Sequence, residues 1–171
     1  VMEGIIREIC PDTQTMTFET FILTDNIQEI FLAAGRVDYI VDAIDTVTAK
    51  LALAQYAGEA GIPLISSMGT GNKLHPELFR IADISETSVC PLCRVMRKEL
   101  KSRGIQRLKV LFSTEKPVEP EPELEEQLIR EEISENSSRR SVPGSIAFVP
   151  PAAGLLIAGE VVRELASARG K

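Results

Sequence analysis

The apolar positions of this chain change their period several times along its length, and each change marks an element. Val1 to Ile9 carries the spacing of an amphipathic helix, and Thr15 to Leu23 reads as a strand after the turn residues Pro11 and Asp12. Thr24 is placed to cap a helix that runs through Ala34 and stops at Gly35. Asp38 to Ile44 predicts a strand, Val47 to Ala60 a helix rich in Ala and Leu that Gly61 ends, and Ile62 to Ser66 the next strand. Beyond them, Leu78 to Ile84 predicts a strand, Cys90 to Arg103 a helix ending at Gly104, Leu108 to Ser113 a strand, and Ala152 to Ala168 a last helix.

Strands alternating with helices of about 10 to 15 residues are the mark of βαβ units in a parallel sheet, so the expected class is α/β. With 171 residues, 44% of them hydrophobic, the chain can bury the core of one domain. The segment from Thr114 to Pro143 is different: it combines Pro117, Pro120 and Pro122 with many glutamates and a Ser-Arg run. Such a composition cannot offset its ordering entropy, which predicts a long mobile loop.

Neither end of the chain suggests export. The start, Val-Met-Glu-Gly-Ile-Ile-Arg, lacks the features of a signal peptide, and the most apolar run, Ile146 to Ile157, is interrupted by Pro150, Pro151 and Gly154. The expectation is a soluble, cytoplasmic protein with no membrane partner. Three cysteines, Cys10, Cys90 and Cys93, are too few for a disulfide scaffold and agree with a reducing compartment. A net charge of −6 argues against coating nucleic acid by charge alone. The charge is uneven, however: basic residues crowd Arg94 to Lys109, and glutamates dominate Glu115 to Glu135.

Candidate chemistry concentrates where strands end. Tyr39-Ile-Val-Asp-Ala-Ile-Asp45 delivers two carboxylates, Asp42 and Asp45, to the edge at which open α/β sheets bind ligands. An acid there either holds magnesium carrying nucleotide phosphates or caps the helix that follows. Gly69-Thr-Gly-Asn-Lys73 is either a turn or a loop that presents Lys73 to an anion. Cys90-Pro-Leu-Cys93 reads as two reduced thiols in a helix's first turn, as a redox pair or as half a zinc site; a second pair of ligands is missing, so no zinc is expected. His75, beside Pro76, reads as a surface residue. Arg94, Arg97, Lys98 and Lys101 share one helical face, solvated or turned toward a phosphate backbone.

These segments, with Ile65-Ser-Ser-Met-Gly-Thr-Gly-Asn-Lys-Leu74, Ala82-Asp-Ile84, Pro91-Leu92, Val95-Met-Arg-Lys-Glu-Leu100 and Gly144-Ser-Ile-Ala-Phe-Val-Pro150, resemble the ubiquitin-activating-enzyme-like (ThiF-like) ATP-dependent adenylating family. Within it they resemble the branch that dehydrates threonylcarbamoyladenosine in tRNA. The resemblance implies a single, partial adenylating domain over residues 1–171, with a Rossmann-like mixed sheet and 114–143 as its acidic crossover loop. It implies ATP and Mg2+: Asp45 as the catalytic and magnesium-holding acid, and Asp42, Ile44, Gly69, Asn72 and Lys73 around ATP and substrate. It further implies tRNA against Arg94, Arg97, Lys98 and Lys101, a homodimer, and a cysteine desulfurase as a partner of some relatives.

The pattern departs from the family in two places. His75 stands where relatives carry aspartate, and the family's glycine-rich phosphate loop has no counterpart here. The chain is therefore expected to match the C-terminal two thirds of such an enzyme and to be inactive alone. Two other functions compete: adenylation of a sulfur-carrier protein, and a non-catalytic binding or dimerisation module.

Overall fold

A computed structural model describes residues 1–118 and 144–170. Its elements are α1 (Met2–Ile9), α2 (Ile27–Ala34), β1 (Ile40–Asp42), α3 (Val47–Ala60), β2 (Leu64–Ser67), β3 (Phe79–Asp83), α4 (Pro91–Ser102), β4 (Lys109–Ser113) and α5 (Val149–Arg169). Single 3₁₀ turns, Pro76–Leu78 and Ile84–Glu86, flank β3.

The strands form one sheet in the order β1-β2-β4-β3. The first three are parallel, with Asp42 beside Ser66 and Ser66 beside Val110, while β3 runs antiparallel to β4. The sheet is thus mixed, as the family resemblance implies and strand–helix alternation alone does not. Period-two alternation in β4 feeds both faces. Val110 and Phe112 join Leu51, Ala54, Met96 and Leu100 under α3 and α4, and Leu111 joins Ile65, Val149, Ala153 and Ile157 under α5. Helices therefore cover both sides of the sheet. A further layer forms where α2 lies on α3, with Phe31 and Tyr56 stacked at 4.3 Å between centroids.

Helix α3 keeps the bounds that its sequence predicts, and Gly61 closes it in the left-handed region at φ 65°. Buried residues occur all round it, from Ala49 to Ala57, because sheet, α4 and α2 each take one side.

Several expectations are corrected. Thr15 to Leu23 forms no strand: it pairs with none of the four strands, and Phe21 stays 82% exposed. Helix α2 begins after Asn26, not at Thr24; the Asn26 Oδ1 accepts from Leu23 N at 2.8 Å and its Nδ2 donates to Phe21 O at 2.8 Å, closing the preceding turn. Strand β1 is limited to Ile40–Asp42, since Asp42 turns the chain. Helix α5 starts earlier than predicted, at Val149, because Pro150 and Pro151 sit in a first turn whose N–H groups have no partner to lose.

Among the described residues no helix is long and apolar enough to cross a membrane. The predicted mobility of 114–143 lies, from 119 onward, outside the described residues. Residues 114–118 are partly packed, with Glu115 buried.

Candidate active site

The C-terminal ends of β1 and β2, with the chain leaving β4, open onto one cleft of about 460 Å³. Ala43, Ile44 and Asp45 line it after β1, Lys50 from α3, and Ser67 through Gly71 with Lys73 from the end of β2 onward. Cys90, Pro91 and Leu92 close one end, with Pro117 and Ser145 at its rim.

Beneath the cleft lies a sealed ion pair. The Asp42 Oδ2 accepts from Lys50 Nζ at 3.1 Å and from Ser66 Oγ, and its Oδ1 accepts from Ile44 N at 3.0 Å. Lys50 Nζ also donates to Ser67 O at 2.7 Å. These bonds hold β1, β2 and α3 together at the point where a ligand would sit. Asp42 is therefore corrected from a ligand contact to a support: solvent does not reach its side chain, and both of its oxygens are occupied.

The same geometry brings Asp45 forward. The bond from Ile44 N to Asp42 bends the chain sharply, so that Asp45 emerges exposed on the cleft wall. The alternative role as a helix cap does not hold. The N-cap of α3 is Thr46, and among the described residues no hydrogen bond or ion pair engages the Asp45 carboxylate.

Lys73, which also lines the cleft, is buried and donates to Glu115 O at 2.8 Å. The Glu115 carboxylate accepts from Leu74 N at 2.9 Å and His75 N at 3.1 Å. Burial opposes its ionisation, yet these two N–H donors outweigh it and hold the carboxyl below its ordinary range. Gly69 also lines the cleft. His75 is exposed and its Nδ1 lies 2.7 Å from Glu77.

Asn72 plays a different part from the one expected. It sits at φ 54°; its N donates to Gly144 O at 2.8 Å, and its Oδ1 accepts from Gly144 N at 2.6 Å. Its own carbonyl accepts from Val118 N at 2.7 Å. Both its backbone and its amide oxygen are thus spent on joining chain on either side of 119–143, away from the cleft lining.

Cys90 is the N-cap of α4 and lines the cleft, while Cys93 is wholly buried one turn in. The Cys93 thiol donates to the Cys90 sulfur and burial opposes ionisation; with the N–H groups of Cys93 and Leu92 and the charge of Lys73 added, the Cys90 thiol falls to about 6. The same hydrogen bond pushes Cys93 far up. Among the described residues, no group of three or more His, Cys, Asp or Glu side chains gathers to hold a metal ion.

On α4, Arg94, Lys98 and Lys101 are exposed opposite the buried Cys93, Met96 and Leu100. Arg97 is corrected: it folds back to donate to Thr87 O at 2.9 Å and to Thr87 Oγ1, fixing the turn before α4. Lys50 and Glu115 were not singled out from the sequence. The signal for Lys50 was there, a lone cation in an otherwise apolar helix run; Glu115 stands in an acidic stretch that hides it.

A mixed α/β sheet with helices on both faces and a cleft at its strand ends is a Rossmann-type fold. The sequence profile of the ThiF family matches residues 1–170, and the chain belongs to that family. It is 36% identical over 166 residues to the tRNA threonylcarbamoyladenosine dehydratase of Bacillus subtilis, covering 96% of this chain and 64% of that protein. The chain thus spans just under two thirds of that relative's length. Among solved structures, Escherichia coli TcdA, a tRNA N6-threonylcarbamoyladenosine dehydratase, in complex with AMP superposes with a TM-score of 0.81 at 24% identity, over 99% of this chain and 64% of that one. The same E. coli protein in complex with ATP superposes over 70% of this chain and 51% of that one, with a TM-score of 0.63 at 31% identity.

Proposed function

We propose that this chain is part of an ATP-dependent enzyme that dehydrates threonylcarbamoyladenosine in tRNA. The observation that carries this reading is the exposed Asp45 carboxylate, unpaired among the described residues, on a cleft at the strand ends that Lys73 and the Gly69 loop also line. The names of the relatives and the ATP complex of a solved neighbour support it.

A carboxylate is a poor electrophile, and the chemistry required is its activation. The threonylcarbamoyl carboxylate attacks the α-phosphorus of ATP, pyrophosphate leaves, and ring closure then expels AMP; the net change in the nucleoside is the loss of one water. Asp45 fits a magnesium ion bound mainly through phosphate oxygens, because such ions take one or two carboxylates and the rest of their ligands from substrate and water. Magnesium would supply charge neutralisation at the phosphates. Lys73 offers its ammonium to the anionic side of the cleft, and the sealed Lys50–Asp42 pair keeps Asp45 in place. The exposed cations of α4 lie beyond the Cys90 end of the cleft, where tRNA phosphates would run. Leu155 and Val162 on the outer side of α5, 75% and 64% exposed, support a homodimer.

The test uses the complete protein with ATP, magnesium and tRNA carrying threonylcarbamoyladenosine. Digestion and mass measurement should show the modified nucleoside lighter by one water. An unchanged mass beside an active control enzyme rejects the assignment.

A further inference from the structure

Cys90 and Cys93 take no part in the proposed adenylation, yet they occupy a chemically unusual position. Cys90 faces the cleft at only 4% exposure, and Cys93 lies beneath it, fully covered. The two cysteines are spaced i and i+3 over the start of α4, Cys90 as its N-cap and Cys93 in its first turn. Pro91 starts the helix between them, so the turn is held in the helical conformation. Lys73 lines the same cleft, and its charge favours the Cys90 thiolate.

We infer that Cys90 and Cys93 are a thiol–disulfide exchange pair, Cys90 the attacking thiolate and Cys93 the resolving thiol, that reacts with a low-molecular-weight disulfide of the glutathione type. This goes beyond the adenylation reading and stands or falls separately from it. Roles follow from placement: only Cys90 opens on the cleft, and it is the one ionised near neutrality.

The Cys90 thiolate attacks one sulfur of glutathione disulfide. A mixed disulfide forms at Cys90 and one glutathione thiolate leaves, taking a proton from solvent. Cys93 has then lost the thiolate that accepted its hydrogen bond; it releases its proton and attacks Cys90 Sγ. The Cys90–Cys93 bond forms as the second glutathione thiolate leaves. Two thiols are oxidised by two electrons and one disulfide is reduced to two thiols. Because Cys90 shares the cleft with Asp45 and Lys73, oxidation replaces a negative sulfur in the cleft wall with a neutral disulfide.

The experiment exposes the chain carrying Cys10→Ser, which removes the exposed thiol, to glutathione disulfide, quenches it with N-ethylmaleimide and maps peptides without reductant. The peptide holding both cysteines should be two hydrogens lighter and unalkylated. With Cys93→Ser, whose hydroxyl keeps a donor at that place, reaction should stop at a glutathione adduct on Cys90. The rate of that adduct should fall about tenfold between pH 7 and pH 5 and be flat above pH 8, as thiolate fraction dictates for a thiol near 6. Both cysteines alkylated after exposure, an adduct first on Cys93, or a rate still climbing above pH 8 would each overturn the assignment.

Discussion

Lys50 Nζ lies 3.1 Å from Asp42 Oδ2, with 1% of the lysine side chain and none of the aspartate reached by solvent. Removing one partner of such a pair strands the other in the interior, which costs about 3–5 kcal/mol. Asp42→Ala should therefore lower the urea midpoint by a large fraction of total stability. The double variant Asp42→Leu with Lys50→Met, which leaves no unpaired charge, should recover much of the loss. Equal losses in the single and double variants would show that packing, not the pair, holds this corner.

Asp45 stands three residues later and the consequence of replacing it is opposite. Its carboxylate is exposed and carries no hydrogen bond among the described residues, so Asp45→Ala should shift stability by less than about 0.5 kcal/mol. In the complete protein the same change should abolish conversion of the tRNA nucleoside, since the cleft wall offers no second free carboxylate among the described residues. Retained turnover would remove Asp45 from the magnesium role.

That contrast shows how far a sequence can be read. The spacing of Asp42 and Asp45 indicated a strand end with chemistry, yet both acids looked alike, because only the fold decides which one meets Lys50 across the sheet. Helix α3 and the positions of β2, β3 and β4 follow from local periodicity and glycine stops, which act within a few residues. Thr15 to Leu23 fails for the reverse reason: alternation records a tendency to pair, and pairing needs a neighbour that the local pattern cannot supply. The family resemblance implies Asn72 at the substrate. Its real partners, Gly144 and Val118, are remote in the chain and carry no local signature.

Asn72 itself permits a discriminating pair of variants. It combines a left-handed φ of 54° with an amide oxygen accepting from Gly144 N. Asn72→Ala loses the acceptor and adds backbone strain, and should cost about 1–3 kcal/mol. Asn72→Gly loses the acceptor alone and should be the milder change, read from urea midpoints. The reverse order would mean that backbone conformation matters less here than side-chain volume.

At the other end of the sheet, Lys109 links Glu160, at 3.0 Å, with Glu164, which also accepts from Tyr39 Oη at 2.6 Å. Hydrogen bonds from Arg163 and Lys109 hold Glu160 below its ordinary 4.5, and those from Lys109 and Tyr39 do the same for Glu164. Lowered carboxyls contribute stability that is complete above the unfolded value of 4.5 and is lost as pH falls through the folded one. Burial lowers Lys109, but the two glutamates outweigh it and raise its value, so its share persists to alkaline pH and fades above about 10.5. The urea midpoint should therefore drop as pH falls below about 4.5, and Glu164→Gln should flatten that drop. An unchanged slope in the variant would place the acid sensitivity elsewhere.

The basic helix separates contact from support on one element. Arg94, Lys98 and Lys101 are exposed, whereas Arg97 is committed to Thr87. Each phosphate contact removed should lower the slope of log affinity against log salt by about one. Lys98→Glu with Lys101→Glu in the complete protein should thus weaken tRNA binding and flatten its salt dependence without changing the urea midpoint. Arg97→Glu should instead lower the midpoint, because it breaks the turn that positions α4. A filter-binding titration that shows equal affinity and equal salt slope for the double lysine variant would leave this face as solvated surface and send the search for the tRNA path to another side of the cleft.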